Sequence, residues 1–297
     1  MDGILVIDKP AGITSHDVVS RVRRLLKTKR VGHTGTLDPF ATGVMVILVG
    51  RATRLAQFLD KDEKEYEAVI SFGFETDTGD RTGAPKADPP NPESELIDKV
   101  RSTDWSPLLA SFQGESEQTP PMYSAKKIEG KKLYEHARQG KTVERKPVII
   151  NISDIALLGT DTNEIRIRVA CSAGTYIRTL AEDVGRAVGI GAHLAELRRI
   201  RAGKFEITQA VSLDRLGELV DPGSSLRPME IAVSHLPELV ISDDRIEKTR
   251  NGLSTRVGET AFADGEQIRM RDGSGDLIAI GIYHSNENSV RPKVVLR

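Results

Sequence analysis

Apolar positions along this 297-residue chain recur with two different periods, and the periods mark its elements. Residues 3–7 (GILVI) form a short apolar run and predict a strand. Ser15 is placed to cap a helix, with Asp17 in a first turn where the helix dipole favours an acid. Val18, Val19, Val22, Leu25 and Leu26 then fall on one helical face and leave the arginines outside. Residues 32–43, studded with Gly, Thr and Asp-Pro, predict a loop. Val44–Val49 predicts a strand buried on both faces. Over Lys64–Phe72, Tyr66, Ala68, Ile70 and Phe72 alternate with Glu65, Glu67, Val69 and Ser71, the period of a half-buried strand. Strands return at 148–157 and 164–171. An amphipathic helix over Thr175–Val188 carries Ile177, Leu180, Ala181, Val184 and Val188 on one side.

Strands and helices alternate without a regular strand–helix–strand repeat. That order predicts an α+β fold with a large, mostly antiparallel mixed sheet and flanking helices. Residues 76–92 read as an exposed excursion, and 118–147 as a basic insertion opening on Thr-Pro-Pro and closing on Lys-Pro. A break falls at 221–237. Beyond it, short runs at Leu239–Ile241, Gln267–Arg271, Leu277–Tyr283 and Lys293–Leu296 predict a small β-rich module. At roughly 100–200 residues per domain the length suggests two domains, or one large domain with an appendage, and the expected division is 1–236 and 237–297.

Composition narrows the class. Hydrophobic residues make up 38% and charged residues 29%, enough apolar content to bury a core and too much for a disordered chain. The longest clean apolar run, Val44–Val49, is far short of the ~20 residues of a transmembrane helix. The opening MDGILVIDKP carries two acids and no basic leader, so no signal peptide, no membrane association and a cytoplasmic location are expected. Cys171 is the sole cysteine, which excludes an internal disulfide; it ends the alternation Ile165, Ile167, Val169 and reads as a small core residue.

Net charge is −1, but the charge is unevenly placed. Residues 21–30 hold six basic side chains and no acid, and residues 118–147 hold eight Lys/Arg against three Glu. Residues 60–117 hold fifteen Asp/Glu against six Lys/Arg. Two basic stretches in a neutral chain suit a groove that tracks phosphates, though such stretches also occur as solvated faces. His16, His33, His136, His193, His235 and His284 show no metal-ligand spacing, and no Gly-rich phosphate loop ending in Lys-Ser/Thr is present. Asp77 and Asp80, in a Gly-rich stretch, read as turn residues rather than as a hydrolytic acid pair.

One segment stands out. The loop GHTGTLDPFATG (32–43) presents one carboxylate, Asp38, fixed by the proline after it, because Pro39 pushes Asp38 out of the helical region. Asp-Pro is also a common turn pair, and local physics leaves both readings open.

The loop closely resembles the catalytic signature of the TruB family of pseudouridine synthases, and five further blocks resemble that family in order. They are GILVIDKPAGITSHDVV (3–19), KEYEAVISFGFETDTGD (64–80), QTPPMYSAKKIEGKKLYEHARQG (118–140), CSAGTYIRTLAEDVG (171–185) and GAHLAELRRIRAG (191–203). The resemblance implies the pseudouridine-synthase fold followed by a PUA-like RNA-binding module. It implies isomerisation of uridine 55 in the T-loop of tRNA, by a stand-alone enzyme that needs no protein partner and acts as a monomer. No cofactor, metal or ATP is implied. Asp38 resembles the nucleophile, Arg178 the arginine that pairs with it, and Tyr66 the tyrosine that stacks on the target base. Leu197 resembles the apolar wall of the pocket, and His33 the residue that holds the RNA with its uridine extruded. Lys9 and Pro10 resemble residues shaping the floor. Lys64 and Tyr176 belong to the same site motifs, and Lys126, Lys127, Lys131 and Lys132 to the RNA-gripping insertion.

These residue types fit the chemistry. A base in structured RNA must be extruded before it is reached, and an aromatic face offsets part of the unstacking. A carboxylate serves as a nucleophile only when ionised, and a neighbouring arginine favours that form. Three alternatives remain distinguishable. A non-catalytic RNA-binding relative would lack Asp38, Tyr66 or Arg178; a guide-RNA-dependent relative would not need the insertion; an unrelated hydrolase would need a second placed carboxylate or a His dyad. Attack at ribose C1′ and at uracil C6 are both compatible with the sequence.

The charge of the insertion makes a prediction. Reversing Lys126, Lys127, Lys131 and Lys132 to Glu weakens tRNA binding and flattens its salt dependence, by up to about 0.7–0.9 in the log–log slope per lost phosphate contact. Binding titrations at several ionic strengths measure it, and an unchanged slope removes the insertion from the RNA interface.

Overall fold

The computed structural model describes residues 1–87, 93–124, 126–128, 130–137, 139–258 and 262–296. In chain order the elements are β1 (Gly3–Lys9), α1 (Ser15–Leu25), β2 (Val31–Thr34), β3 (Thr42–Val49), β4 (Lys64–Phe72), α2 (Glu93–Ser102), α3 (Trp105–Ala110) and β5 (Gly114–Gln118). The insertion contributes β6 (Lys127–Ile128), β7 (Lys131–Lys132) and α4 (Leu133–Ala137). Next come β8 (Val148–Asp161), β9 (Glu164–Cys171), α5 (Ile177–Val188), β10 (Ala192–Ala202), β11 (Phe205–Glu206), β12 (Val211–Ser212) and α6 (Leu213–Glu218). The chain ends with β13 (Glu238–Val240), α7 (Asp243–Arg250), β14 (Thr255–Arg256), β15 (Gln267–Arg271), β16 (Leu277–His284) and β17 (Ser289–Val295).

The main sheet runs β12-β1-β3-β10-β4-β9-β8-β5, with β2 added on β3 and β11 on β10. Two pairings are parallel, β1 with β12 and β3 with β10; the others are antiparallel. The α+β class with a mixed, mostly antiparallel sheet is therefore as expected, and the 238–295 strands form a second, five-stranded sheet ordered β13-β15-β16-β17-β14.

Each face of the main sheet buries a different cluster. Ala68, Ile70 and Phe72 of β4 pack with Trp105, Leu109 and the α5 face Ile177, Leu180, Ala181 and Val184. Leu5, Ile7, Met45, Ile47 and Val49 pack under Val18, Val19 and Val22 of α1. On the opposite face of the same strands, Ile4, Val6, Val44, Val46 and Leu48 meet Leu277, Ile280, Val294 and Leu296 of the C-terminal sheet. This explains why Val44–Val49 reads as continuously apolar: helix covers one face and the second sheet the other. The C-terminal sheet keeps a cluster of its own around Ile268, Met270, Ile278 and Val290.

Several local readings change. The cap of α1 is Thr14, which exchanges hydrogen bonds with Asp17 in a capping box; Ser15 lies inside the helix and is free to bond elsewhere. The predicted 32–43 loop begins as β2, because Val31–Thr34 pairs along Val46–Val49. The helix predicted from Thr175 starts at Ile177, after Tyr176 in an extended conformation. Residues 289–295 form one strand rather than the shorter run at 293–296.

The β3/β10 pairing sets the sheet's geometry and depends on one glycine. Gly43 has φ +100°, and a Cβ there would sit 2.2 Å from the carbonyl oxygen of Arg199. Gly43→Ala combines left-handed strain with a backbone clash. It costs about 3 kcal/mol or more in unfolding free energy, read from denaturant titrations of the two proteins.

Candidate active site

Where β2 and β3 separate, residues 35–41 form a loop over the β3/β10 junction. Three buried side chains fasten it through main-chain groups. The Ser15 hydroxyl accepts from the Leu37 N–H at 2.9 Å and donates to the Leu37 carbonyl at 3.0 Å. Lys9, fully buried, donates to the carbonyls of Pro39 (3.1 Å) and Ala41 (2.7 Å), and to that of Pro10 (2.9 Å). Arg199, 1% exposed, donates to the carbonyls of Gly35 (3.0 Å) and Val44 (2.7 Å), one at each end of the loop. Asp38 thus sits on backbone held at 35, 37, 39, 41 and 44, the kind of support that fixes a side chain before substrate arrives.

Across the pocket, Arg178 projects from the first turn of α5. Its Nε lies 3.0 Å from Asp38 Oδ2 and its Nη2 donates to Asp38 Oδ1 at 3.4 Å. The remaining guanidinium protons reach the Thr78 carbonyl (2.9 Å) and the Tyr123 carbonyl (2.7 Å), and Nη1 lies 3.7 Å from Asp80 Oδ2. The arginine side chain is 5% exposed and that of Asp38 32%, so the pair is sealed on one side and open to the pocket on the other. Burial pushes the Asp38 carboxyl above its usual range; Arg178 opposes the rise, Asp80 adds to it and Lys9 opposes it. Burial and the nearby Arg199 push the Lys9 ammonium down to about 8, with Asp38 working the other way.

The pocket encloses about 230 Å³ and is lined by Asp38, Lys64, Tyr66, Tyr176, Arg178 and Leu197, with Arg199 and Ser124. Tyr66 and Leu197 come from adjacent strands in register, Leu197 opposite Ala68 and Arg199 opposite Tyr66. Burial raises the Tyr66 phenol, and the Arg199 guanidinium opposes this through charge and a hydrogen bond. Lys64 is buried with its ammonium on the carbonyls of Asp60 (3.0 Å) and Asp62. Tyr176 is anchored by a reciprocal bond with Gln118, at the start of the insertion.

Six of the residues singled out in the sequence therefore meet at one pocket: Asp38, Tyr66, Arg178, Leu197, Lys64 and Tyr176. Lys9 lies beneath the loop rather than in the pocket wall, and Pro10 is exposed. His33 sits on β2, half-buried, outside the pocket lining, with its Nδ1 unpartnered and burial lowering its pKa. In the insertion Lys126 is half-buried and Lys131 exposed; the side chains of Lys127 and Lys132 lie outside the described residues. Asp80 is the turn residue that its sequence context predicts: Oδ1 accepts from Thr78, from the Thr82 N–H and from its hydroxyl. Its other oxygen, however, faces Arg178, a role that only the folded loop reveals. Sequence reasoning also misses Arg199 and Ser15. The only signal for Arg199 is the unusual Leu-Arg-Arg-Ile-Arg string in a strand.

A mixed, mostly antiparallel sheet with flanking helices, followed by a second β-rich sheet, is the pseudouridine-synthase fold. Solved structures share it: the chain of an H/ACA RNP bound to a substrate RNA containing 2′-deoxyuridine aligns over 99% of this chain and 85% of its own, with TM-score 0.71 and 26% identity. That of a Cbf5-Nop10-Gar1 complex aligns equally, with 27% identity. Residues 23–177 match the TruB family pseudouridylate synthase N-terminal domain, and 178–234 the tRNA pseudouridylate synthase B C-terminal domain. The chain is 42% identical over 301 residues to tRNA pseudouridine synthase B of Solibacter usitatus, covering 96% of this chain and 98% of that one. It is 41% identical to that of Bacillus subtilis, covering 100% and 98%. The chain belongs to the TruB family.

The Asp38–Arg178 pair makes a pH prediction. If Asp38 acts as a nucleophile it does so only when ionised, and the rate then rises with pH through its raised pKa and is lost below it. Arg178→Met removes the strongest opposition to that rise. The acid limb of the rate–pH profile then moves to higher pH, as initial rates across a buffer series would record; an unmoved limb would separate Arg178 from the ionisation of Asp38.

Proposed function

We propose that this chain isomerises uridine 55 in the T-loop of tRNA to pseudouridine, with Asp38 as nucleophile. The observation that carries the reading is the Asp38–Arg178 contact at the base of a pocket sized for one extruded nucleotide. Membership of the TruB family and the full-length relatives named tRNA pseudouridine synthase B support the substrate.

The roles follow from the family resemblance, and the geometry of the pocket supports those of Asp38, Arg178, Tyr66 and Leu197. The extruded base enters between Tyr66, whose ring stacks on it, and Leu197. Arg178 keeps Asp38 charged against the burial that favours its neutral form. Asp38 attacks ribose C1′ or uracil C6, and the C1′–N1 bond breaks. The uracil turns about the line through N3 and C6, which brings C5 to the place N1 held. C5 bonds to C1′, the bond to Asp38 breaks and returns the carboxylate, the hydrogen of C5 leaves as a proton, and N1 takes one up. Atoms and electrons balance as an isomerisation. Lys9 and Pro10 support the loop from below, and His33 helps hold the RNA open. Lys64 contributes positive charge at the pocket, and Tyr176 forms part of its rim.

The 118–147 insertion, through Lys126, Lys127, Lys131 and Lys132, grips the tRNA backbone. Residues 237–297 act as a PUA-like RNA-binding module on a catalytic domain of 1–236. The chain works as a monomer without a protein partner, in the cytoplasm. Among the described residues no helix is long and apolar enough to cross a membrane.

Asp38→Asn tests the central claim. Asn keeps the size of the side chain and the constraint before Pro39 but removes the charge. Pseudouridine at the T-loop uridine falls below detection by mass spectrometry, while tRNA affinity stays within about tenfold, or ~1.4 kcal/mol. A folded variant that still forms pseudouridine at a near wild-type rate excludes Asp38 as nucleophile.

A further inference from the structure

Five buried side-chain polar atoms among the described residues have no hydrogen-bond partner: Arg23 Nε, His33 Nδ1, Ser124 Oγ, His136 Nε2 and Arg245 Nε. Of the five residues, only Ser124 lines the pocket of Asp38 and Tyr66. Ser124 is 4% exposed. Its position is fixed on both sides. The preceding carbonyl, of Tyr123, accepts from Arg178 Nη2 at 2.7 Å, and its own carbonyl accepts from the Tyr134 N–H at 3.1 Å. The residue is therefore held next to the Tyr123 carbonyl that Arg178 binds, and its hydroxyl has no partner among the described residues.

A buried hydroxyl without a partner is a cost to the folded protein, and buried polar groups are normally satisfied. Its retention in a substrate pocket is understood if the substrate supplies the missing partner. The uracil edge offers two ring carbonyls as acceptors. Turning the base about its N3–C6 line exchanges O2 and O4, so a donor that meets one carbonyl before the turn meets the other after it. A hydroxyl rotor with no competing bond suits this task better than a fixed amide.

We infer that Ser124 is a substrate-contacting residue whose hydroxyl donates to a ring carbonyl of the extruded uracil and holds the detached base through its turn. The inference rests on the function proposed above. It assigns to Ser124 a catalytic contact outside the Asp38–Arg178–Tyr66 set.

The test pairs Ser124→Ala with tRNA carrying 2-thiouridine or 4-thiouridine at the target, since sulfur is a poor acceptor. Wild-type enzyme on unmodified tRNA forms pseudouridine; if it does not, the proposed function fails and this contact fails with it. Given wild-type activity, single-turnover rates for Ser124→Ala fall about tenfold at unchanged tRNA affinity, the size of one hydrogen bond to the reacting base. Its melting temperature stays equal to wild type or rises, because an unsatisfied group has been removed. At least one thio-substitution slows the wild type, and Ser124→Ala is slowed less by it. An unchanged rate in Ser124→Ala overturns the contact while leaving the proposed function intact. So does a fall in melting temperature with loss of tRNA binding, which would mark Ser124 as structural. Should the variant not fold, the wild type alone decides: equal rates on both thio-substituted and unmodified tRNA overturn the contact.

Discussion

The arrangement of the site depends on the buried guanidinium of Arg178. It reaches the β2–β3 loop through Asp38, the loop after β4 through Asp80 and the Thr78 carbonyl, and the insertion through the Tyr123 carbonyl. Segments far apart in sequence converge on one planar cation. Arginine suits this role because its five N–H donors lie in a fixed fork. Removing one partner from such a hub leaves an uncompensated buried charge, at a cost on the order of 3–5 kcal/mol in comparable buried pairs. The same contact that shapes the pocket also opposes the neutral form of Asp38, so architecture and reactivity share one interaction.

Around that hub the chain buries three further cations and gives them carbonyls instead of carboxylates. Lys9 bonds to Pro10, Pro39 and Ala41, Lys64 to Asp60 and Asp62, and Arg199 to Gly35 and Val44. Their main-chain partners satisfy the hydrogen bonds without cancelling the charge. The interior beneath the pocket is accordingly positive in a chain whose net charge is −1. Of the three, Lys9 acts against the raised pKa of Asp38. Lys9, Arg199 and Ser15 together hold the loop at the carbonyls of Gly35, Leu37, Pro39 and Ala41, which is why a segment rich in Gly and Thr can fix the place of the Asp38 carboxylate.

The second sheet adds to this support. Leu277, Ile280, Val294 and Leu296 share one apolar cluster with Val44, Val46 and Leu48 of β3, the strand that leads out of the Asp38 loop. The C-terminal strands thus close the face of β1 and β3 that α1 leaves open, while their own cluster around Ile268 and Met270 gives them an independent core.

Periodicity alone determined β4, β9, α1 and most of α5, because each presents one face to one neighbour and its apolar positions keep a single period. Six sequence blocks likewise marked Asp38, Tyr66, Arg178 and Leu197 before any fold was seen. β10 was not legible as a strand. It carries Arg198, Arg199 and Arg201 beside Leu197, and a reading that sends arginines to solvent cannot anticipate one that is 1% exposed. Thr14 rather than Ser15 is the cap, as the Thr14-x-x-Asp17 spacing of a capping box requires; what the sequence does not show is the bond of Ser15 to the Leu37 backbone, distant in sequence. Asp80 is a similar case: a turn residue whose second oxygen meets Arg178 only in the folded chain. Local period and residue chemistry are properties of the sequence, and they determined most of the elements, while the resemblance of the six blocks marked the candidate nucleophile. Only the tertiary structure decided which polar groups would be buried together, because a buried charge or hydroxyl is defined by partners that the chain brings from elsewhere.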